Sequence, residues 1–374
     1  MFLERLELTD FRNYESLRLD FQAPLALFVG RNAQGKTNIL EAVLLLALAR
    51  SPRTARDGEL VRWGCSTAVV RGEVRRTQRP PVAVSVGLAA TGQKTVKVDG
   101  VARRRLVDAL GEVNVVMFGP DDLRLVSGGP GERRAFLNTC LGQISHRYLG
   151  ALATYRNVLR QRNALLRAGR QRGVDPVLRE AYDEQLAAAA AVLMQERAWR
   201  VAELEREAAA VHHDLAGGGE RLAARYEPNV PWPDSADEAT LAGALREVLA
   251  SRRAEEQRRG VTVAGPHRDE LVLTINGAAA KVYGSQGQQR TAALALKIAE
   301  LRVVAAAVGE PPLLLLDDVL SELDARRRAA VLELVGEADQ VLLSGADEQL
   351  VSAGPHQAEI YHVRAGQVRA ARAS

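Results

Sequence analysis

Cysteine is almost missing from this chain of 374 residues: Cys65 and Cys140 stand far apart and form no C-x-x-C pair. That excludes a disulfide framework and gives no indication of a zinc site. Long apolar runs are missing too. None approaches the ~18 residues of a membrane-spanning helix. Met1-Phe2-Leu3 is followed at once by Glu4, Arg5 and Glu7, so no signal peptide is read and a cytoplasmic protein without a membrane partner is expected. Lysine is scarce, with 5 against 45 arginines. This is the mark of a coding bias, although guanidinium forks suit phosphate. The net charge of +4 permits a nucleic-acid partner without demanding one. No internal repeat or low-complexity tail is evident. What remains, 47% hydrophobic and 26% charged residues, is the composition of an ordinary globular protein, long enough for a main domain and an appendage.

The chain is organised around Gly30-Arg31-Asn32-Ala33-Gln34-Gly35-Lys36-Thr37, which fits the G-x-x-x-x-G-K-[ST] phosphate-binding loop. Leu25 to Val29 ahead of it reads as a buried strand, and Ile39, Leu40, Val43, Leu44 and Ala47 behind it recur at helical spacing. Glycines in such a loop let successive N–H groups point at a polyphosphate, and the helix dipole adds to that field. Lys36 is then expected to reach the β- and γ-phosphates of ATP, and the Thr37 hydroxyl to ligate Mg²⁺.

Alternation at Leu6 and Leu8, then at Leu17, Leu19 and Phe21, predicts two strands around the polar break 10–14. Several strand-like runs between Val69 and Val101, with a turn at Val98-Asp99-Gly100, predict an antiparallel β-subdomain. From about Arg133 the texture becomes helical. Tyr148 to Arg167 is one predicted helix. A second is capped by Asp175, starts with Pro176 and runs to Leu215, which would make it about 60 Å long. A third is predicted over Glu238 to Arg259, after a Pro-rich link. Strand pattern then returns at Val261 to Gly265 and at Leu271 to Ile275.

Leu313-Leu314-Leu315-Leu316-Asp317-Asp318 is an apolar strand ending in two carboxylates. Alone it reads equally as a buried strand meeting a polar turn; with the phosphate loop it is a second nucleotide motif. Asp317 would hold Mg²⁺ and Asp318 would orient or deprotonate the attacking water, with Lys36 as its catalytic companion. The stretch Tyr283-Gly284-Ser285-Gln286-Gly287-Gln288-Gln289-Arg290 opens a helix and resembles the signature of the ABC ATPase superfamily, departing from it at Tyr283-Gly284 and Gln286. The resemblance implies that Ser285, Gln286, Gly287 and Gln288 act in trans, on the ATP of a partner subunit. The same turn also reads as a helix capped by Ser285. Ser321-Glu322-Leu323-Asp324 resembles the superfamily's D-loop, here Ser321 and Asp324. Ser344 stands near the place of the usual switch histidine, and no glutamine ends the strand 113–118.

Three further stretches carry a narrower resemblance: 8–14 (Leu-Thr-Asp-Phe-Arg-Asn-Tyr), 119–123 with 128–137, and 264–271 (Ala-Gly-Pro-His-Arg-Asp-Glu-Leu). With them the whole chain resembles the RecF family of bacterial DNA replication and repair proteins, related to the SMC and Rad50 ATPases. The resemblance implies an α/β fold: an ABC-type P-loop ATPase head built from two sequence-distant lobes, 1–125 and 259–374, with a helical arm inserted at 126–258. It implies a weak DNA-linked ATPase that forms an ATP-dependent homodimer at gapped DNA or single-strand/double-strand junctions. It also implies partnership with RecO, RecR and RecA in DNA damage and SOS responses. Arg12 and Asn13 are placed either near the nucleotide or in a plain turn. A transporter ATPase would bring its signature far closer to the phosphate loop, and a structural SMC or Rad50 protein would carry much longer arms. For DNA contact the sequence offers Arg103, Arg104 and Arg105, and Arg156, Arg160 and Arg167 near one helix face with Asn163. Either cluster is equally the pattern of a solvated face.

Overall fold

The structure, a computed structural model, describes residues 1–171, 173–233, 236–346 and 358–371, without the side chains of Leu106, Ser321, Glu322 and Ala325. It divides into two units, one formed by Met1–Asp122 with the chain from Lys297 onward, the other by Leu123–Leu296.

The first unit holds two sheets of opposite character. Alternating burial builds the antiparallel one: β2 (Tyr14–Asp20), β1 (Phe2–Phe11), β4 (Thr67–Arg75), β5 (Val82–Ala89), β6 (Lys94–Val98) and β7 (Val101–Ala102) lie side by side in that order. The predicted hairpin is there, with Leu6 opposite Leu19 and Leu8 opposite Leu17. The second sheet runs β15 (Gln367–Ala370), β14 (Ala358–Arg364), β3 (Leu25–Val29), β13 (Val341–Gly345), β12 (Leu313–Asp317) and β8 (Val115–Phe118). All its pairings are parallel except that of β14 with β15. Every residue of β3, β12 and β13 is buried, as parallel strands covered on both faces require. The helix Lys36–Leu48 packs on strands of both sheets. Being sandwiched, it buries every residue from Ile39 to Ala47 rather than one stripe, and even Glu41 is 1% exposed. Each buried leucine-sized side chain contributes about 1.5–3 kcal/mol, so this helix is the keel of the unit.

The second unit is mostly helical. His146–Ala168 is capped by Ser145. Pro176–Ala216 runs unbroken for 41 residues, about 60 Å, from its Asp175 cap to Gly217 in the left-handed region. The third predicted helix is two, Glu238–Ser251 and Arg253–Arg259, interrupted at Arg252. The interruption delivers Glu256, fully buried, to Arg162: the guanidinium donates to both Glu256 oxygens (2.9 and 2.6 Å), to Asp183 (2.7 Å) and to Thr262 (2.8 Å). Val261 to Gly265 is loop rather than strand, because Thr262 is spent on Arg162 and Asn163 instead of a ladder. β9 (Leu222–Glu227) pairs along its whole length with β10 (Glu270–Ile275), which turns through Asn276-Gly277 into β11 (Ala278–Ala279). That pairing keeps the chain after residue 258 with the helices. The unit therefore ends at Leu296, within the helix Gln286–Val308, whereas the sequence division ended the arm at 258.

Candidate nucleotide site

The ends of β3, β12 and β13 bring the two sequence motifs of the first unit together. Lys36, 3% exposed, turns its ammonium back over the loop and donates to the carbonyls of Gly30 (2.7 Å) and Arg31 (3.4 Å), with an Asp318 oxygen at 4.0 Å. Thr37 Oγ1 donates to Asp317 Oδ1 at 2.9 Å. Ser344, which sequence reasoning left without a role, joins the two aspartates: its hydroxyl donates to Asp317 Oδ1 (2.7 Å) and accepts from the Asp318 N–H (3.1 Å). Asp318 itself takes φ 51°, a left-handed conformation uncommon outside glycine that lifts it off the strand end. At the end of β8, a Cβ on Gly119 would lie 3.9 Å from the Asp317 Cβ, so this backbone passes beside the site without a glutamine.

The phosphate loop is held from outside by two hairpin turns. Asn13 donates to the Gln34 carbonyl (2.9 Å) and the Tyr14 hydroxyl to that of Gly35 (3.0 Å). Burial raises the Tyr14 pKa, which keeps the donating proton in place. From the other hairpin, the N–H of Ala365 donates to the Gln34 side chain (2.8 Å) and that of Gly366 to its carbonyl (3.2 Å). The fit is close enough that a Cβ on Gly30 would fall 2.4 Å from the Val363 oxygen. Arg12 donates through two nitrogens to Glu41 (2.7 and 2.9 Å), whose Oε1 also accepts from Ser51. From the sequence Arg12 reads as near a nucleotide or in a turn; its partner lies 29 positions away. Beside this pair opens a groove of about 920 Å³ lined by Arg12, Asn13, Asn38, Arg53, Arg56 and the exposed Trp63. A hydroxyl beside a carboxylate is a donor set for a hard cation such as Mg²⁺, and a buried ammonium on neutral carbonyls suits a polyphosphate. The residues fit ATP with Mg²⁺.

The signature turn belongs to the second unit. Ser285 and Gln288 cap the helix reciprocally: the Ser285 N–H donates to Gln288 Oε1 (2.8 Å) and the Gln288 N–H to Ser285 Oγ (3.2 Å). Glu220, unforeseen, accepts from Gln288 Nε2 at 2.8 Å. Gln286 and Gly287 form the first helical turn, Gln286 exposed. In the D-loop stretch, Asp324 caps the helix Ala325–Glu337 by accepting from the Arg327 N–H at 2.9 Å. Ser321 lies in the turn Val319–Glu322, and its side chain is outside the described residues. Arg103, Arg104 and Arg105 follow β7 and are exposed, Arg105 paired with Asp108 at 2.8 Å. Arg156, Arg160 and Arg167 are exposed on one helix, and Asn163 beside them accepts from the N–H and the hydroxyl of Thr262 (2.7 and 2.8 Å). The stretches 128–137 and 264–271 meet in this unit, through Arg133 on Glu270 (2.8 Å) and Arg134 on the Asp269 carbonyl (2.8 Å).

The RecF/RecN/SMC N-terminal domain family matches residues 2–369. The chain is 42% identical over 376 residues to the DNA replication and repair protein RecF of Halalkalibacterium halodurans, covering 99% of each. It is 44% identical over 372 residues to that of a Synechococcus strain, covering 98% of this chain and 97% of the relative. Among solved structures, the recombination mediator protein RecF with ATPrS in the RecFOR pathway matches at TM-score 0.91 and 31% identity, over 99% of this chain and 98% of that one. An Smc head bound to the C-winged helix domain of ScpA matches at TM-score 0.56 and 16% identity, over 99% of this chain and 97% of that one, a likeness of fold alone.

Proposed function

This chain belongs to the RecF family, and from that premise we propose that it is an ATP-dependent DNA-binding protein of recombinational repair and replication restart. The observation that carries the reading is the Thr37–Asp317–Ser344–Asp318 chain of hydrogen bonds beside the buried Lys36 ammonium. Lys36 binds the β- and γ-phosphates of ATP, and Thr37 and Asp317 hold Mg²⁺. When bound, that ion supplies positive charge to the phosphate oxygens. Asp318 orients the attacking water and accepts its proton. It is one methylene shorter than a glutamate, which favours slow turnover and suits a switch. Ser285 to Gln288 act on the partner subunit's nucleotide, so ATP joins two copies and hydrolysis releases them. DNA is held in the ATP-bound state, at gaps or single-strand/double-strand junctions. The pathway context of the RecF relative supports RecO and RecR as partners in loading RecA.

The test is duplex and gapped-DNA binding by the purified chain with and without ATP, titrated with salt. Tighter binding with ATP, falling steeply as salt rises, is expected. Equal binding with and without ATP contradicts the reading.

A further inference from the structure

Two stretches far apart in sequence, 167–180 and 251–260, carry eight arginines against four carboxylates, an excess equal to the net charge of +4 of the whole chain. The fold brings them together at one end of the helical unit. The chain leaves the helix His146–Ala168 there and enters Pro176–Ala216, and Arg253–Arg259 packs against the first of these. Gln257 ties the junction, donating to the Gly169 carbonyl and accepting from Arg179 (3.0 Å).

The arginines at this end are positioned, not merely exposed. Gly260, at φ 69°, ends the short helix, and a Cβ there would meet Arg170 Cδ at 2.9 Å and Arg167 Cγ at 3.3 Å. With no Cβ at Gly260, both aliphatic stems lie across this point while their guanidinium groups stay in water. Arg252, Arg253 and Arg258 flank them and are exposed. Among the described residues, none of these five guanidinium groups has an ion pair or a side-chain hydrogen bond, whereas Arg259 is paired with Glu255 at 2.9 Å. Of the four acids, Glu256 is consumed inside by Arg162 and Asp175 caps a helix. The Arg162–Glu256–Asp183 cluster in turn fixes the short helix on its neighbours, so the positive surface is preorganised.

We propose that this arm end, through Arg167, Arg170, Arg252, Arg253 and Arg258, binds the phosphate backbone of duplex DNA. The proposal rests on the DNA-binding function above and gives it a surface. The partner follows from the chemistry. Unpaired guanidinium groups from two segments match phosphates without reading sequence. Neither stretch contains an aromatic residue, so the stacking platform that single strands need is missing. Arg156 and Arg160, about two and three turns back along the same helix, are not included in this surface.

The test is fluorescence anisotropy with a labelled ~30-base-pair duplex and with the matching single strand, with ATP, across a salt series. The variant carries Arg167→Gln, Arg170→Gln, Arg253→Gln and Arg258→Gln; a companion has lysine at the same positions. Each phosphate contact contributes about 0.9 to the slope of log affinity against log salt, so the glutamine variant, four contacts down, should show a slope shallower by about 3.6 and lose at least tenfold in duplex affinity near 0.1 M salt. The lysine variant should stay within about threefold of the parent, because backbone contacts require charge more than fork geometry. Should the glutamine variant not fold, Arg253→Glu with Arg258→Glu, whose side chains touch no described partner, must give the same loss. An unchanged slope and affinity overturns the assignment, as does an equal loss on the single strand. A parent that binds no DNA at all overturns instead the function it rests on.

Discussion

Lys36 has no carboxylate in close contact among the described residues; its ammonium rests on two neutral carbonyls, with Asp318 at 4.0 Å. Lys36→Ala removes the mobile charge and leaves the loop, so ATP hydrolysis, read as phosphate release, should fall by a factor of about 10² or more. Asp318→Asn keeps the shape and removes the base: ATP should still bind while turnover drops by roughly 10²–10⁴, and normal turnover would mean that another group positions the water. A third residue makes a pH prediction. His267 receives the Tyr155 hydroxyl on Nδ1 at 2.5 Å and donates from Nε2 to the Thr262 carbonyl at 3.2 Å, and burial above all lowers its pKa to about 4. The unfolded chain protonates this histidine near its ordinary value of about 6.5, so stability is full above that pH and falls as pH drops toward 4, by up to about 1.4 kcal/mol per unit. Melting temperatures between pH 7 and 4 should show the fall, and His267→Gln should flatten it. The phosphate loop and the Asp pair are legible in sequence because each is contiguous and its neighbours have the right period. Ser344 and the Arg12–Glu41 pair are not, since each acquires its role from a residue at least 26 positions away that only folding brings near.

Helices with chemical punctuation at both ends were readable as elements. Asp175-Pro176 opens the long arm helix and Gly217 closes it. The interruption at Arg252 has no glycine or proline to announce it. Its cause is tertiary: Glu256 goes inward to a fully buried guanidinium. Glu256→Ala leaves that charge without its main partner and should destabilise the chain by about 3–5 kcal/mol in urea unfolding. A loss under 1 kcal/mol would show that water reaches Arg162. At the signature helix the cap and the proposed trans role can be separated. Ser285→Ala removes the cap hydroxyl, which costs about 1 kcal/mol, but adds no bulk, so dimerisation with ATP should weaken without vanishing.

At the scale of the molecule, the phosphate loop and the Asp pair belong to one unit and the signature turn to the other. Single strands and helices were legible from their periods, and the α/β class from the family resemblance. The division was not, because β9 and β10 pair residues 43 or more positions apart, across the helices Glu238–Ser251 and Arg253–Arg259, and claim the chain after residue 258. The central claim is that two copies share each nucleotide. Ser285→Arg would crowd the phosphate seat offered to a partner, so that protein should bind ATP as a monomer, while Lys36→Ala should fail to bind it. A mixed dimer retains one intact composite site, with Lys36 from the first protein and Ser285 from the second. Sedimentation velocity of the two proteins, alone and mixed, with ATP is therefore the most direct measurement. The account predicts monomer for each alone and dimer, with partial hydrolysis, for the mixture; Ser285→Arg alone dimerising and hydrolysing ATP like the parent would contradict it.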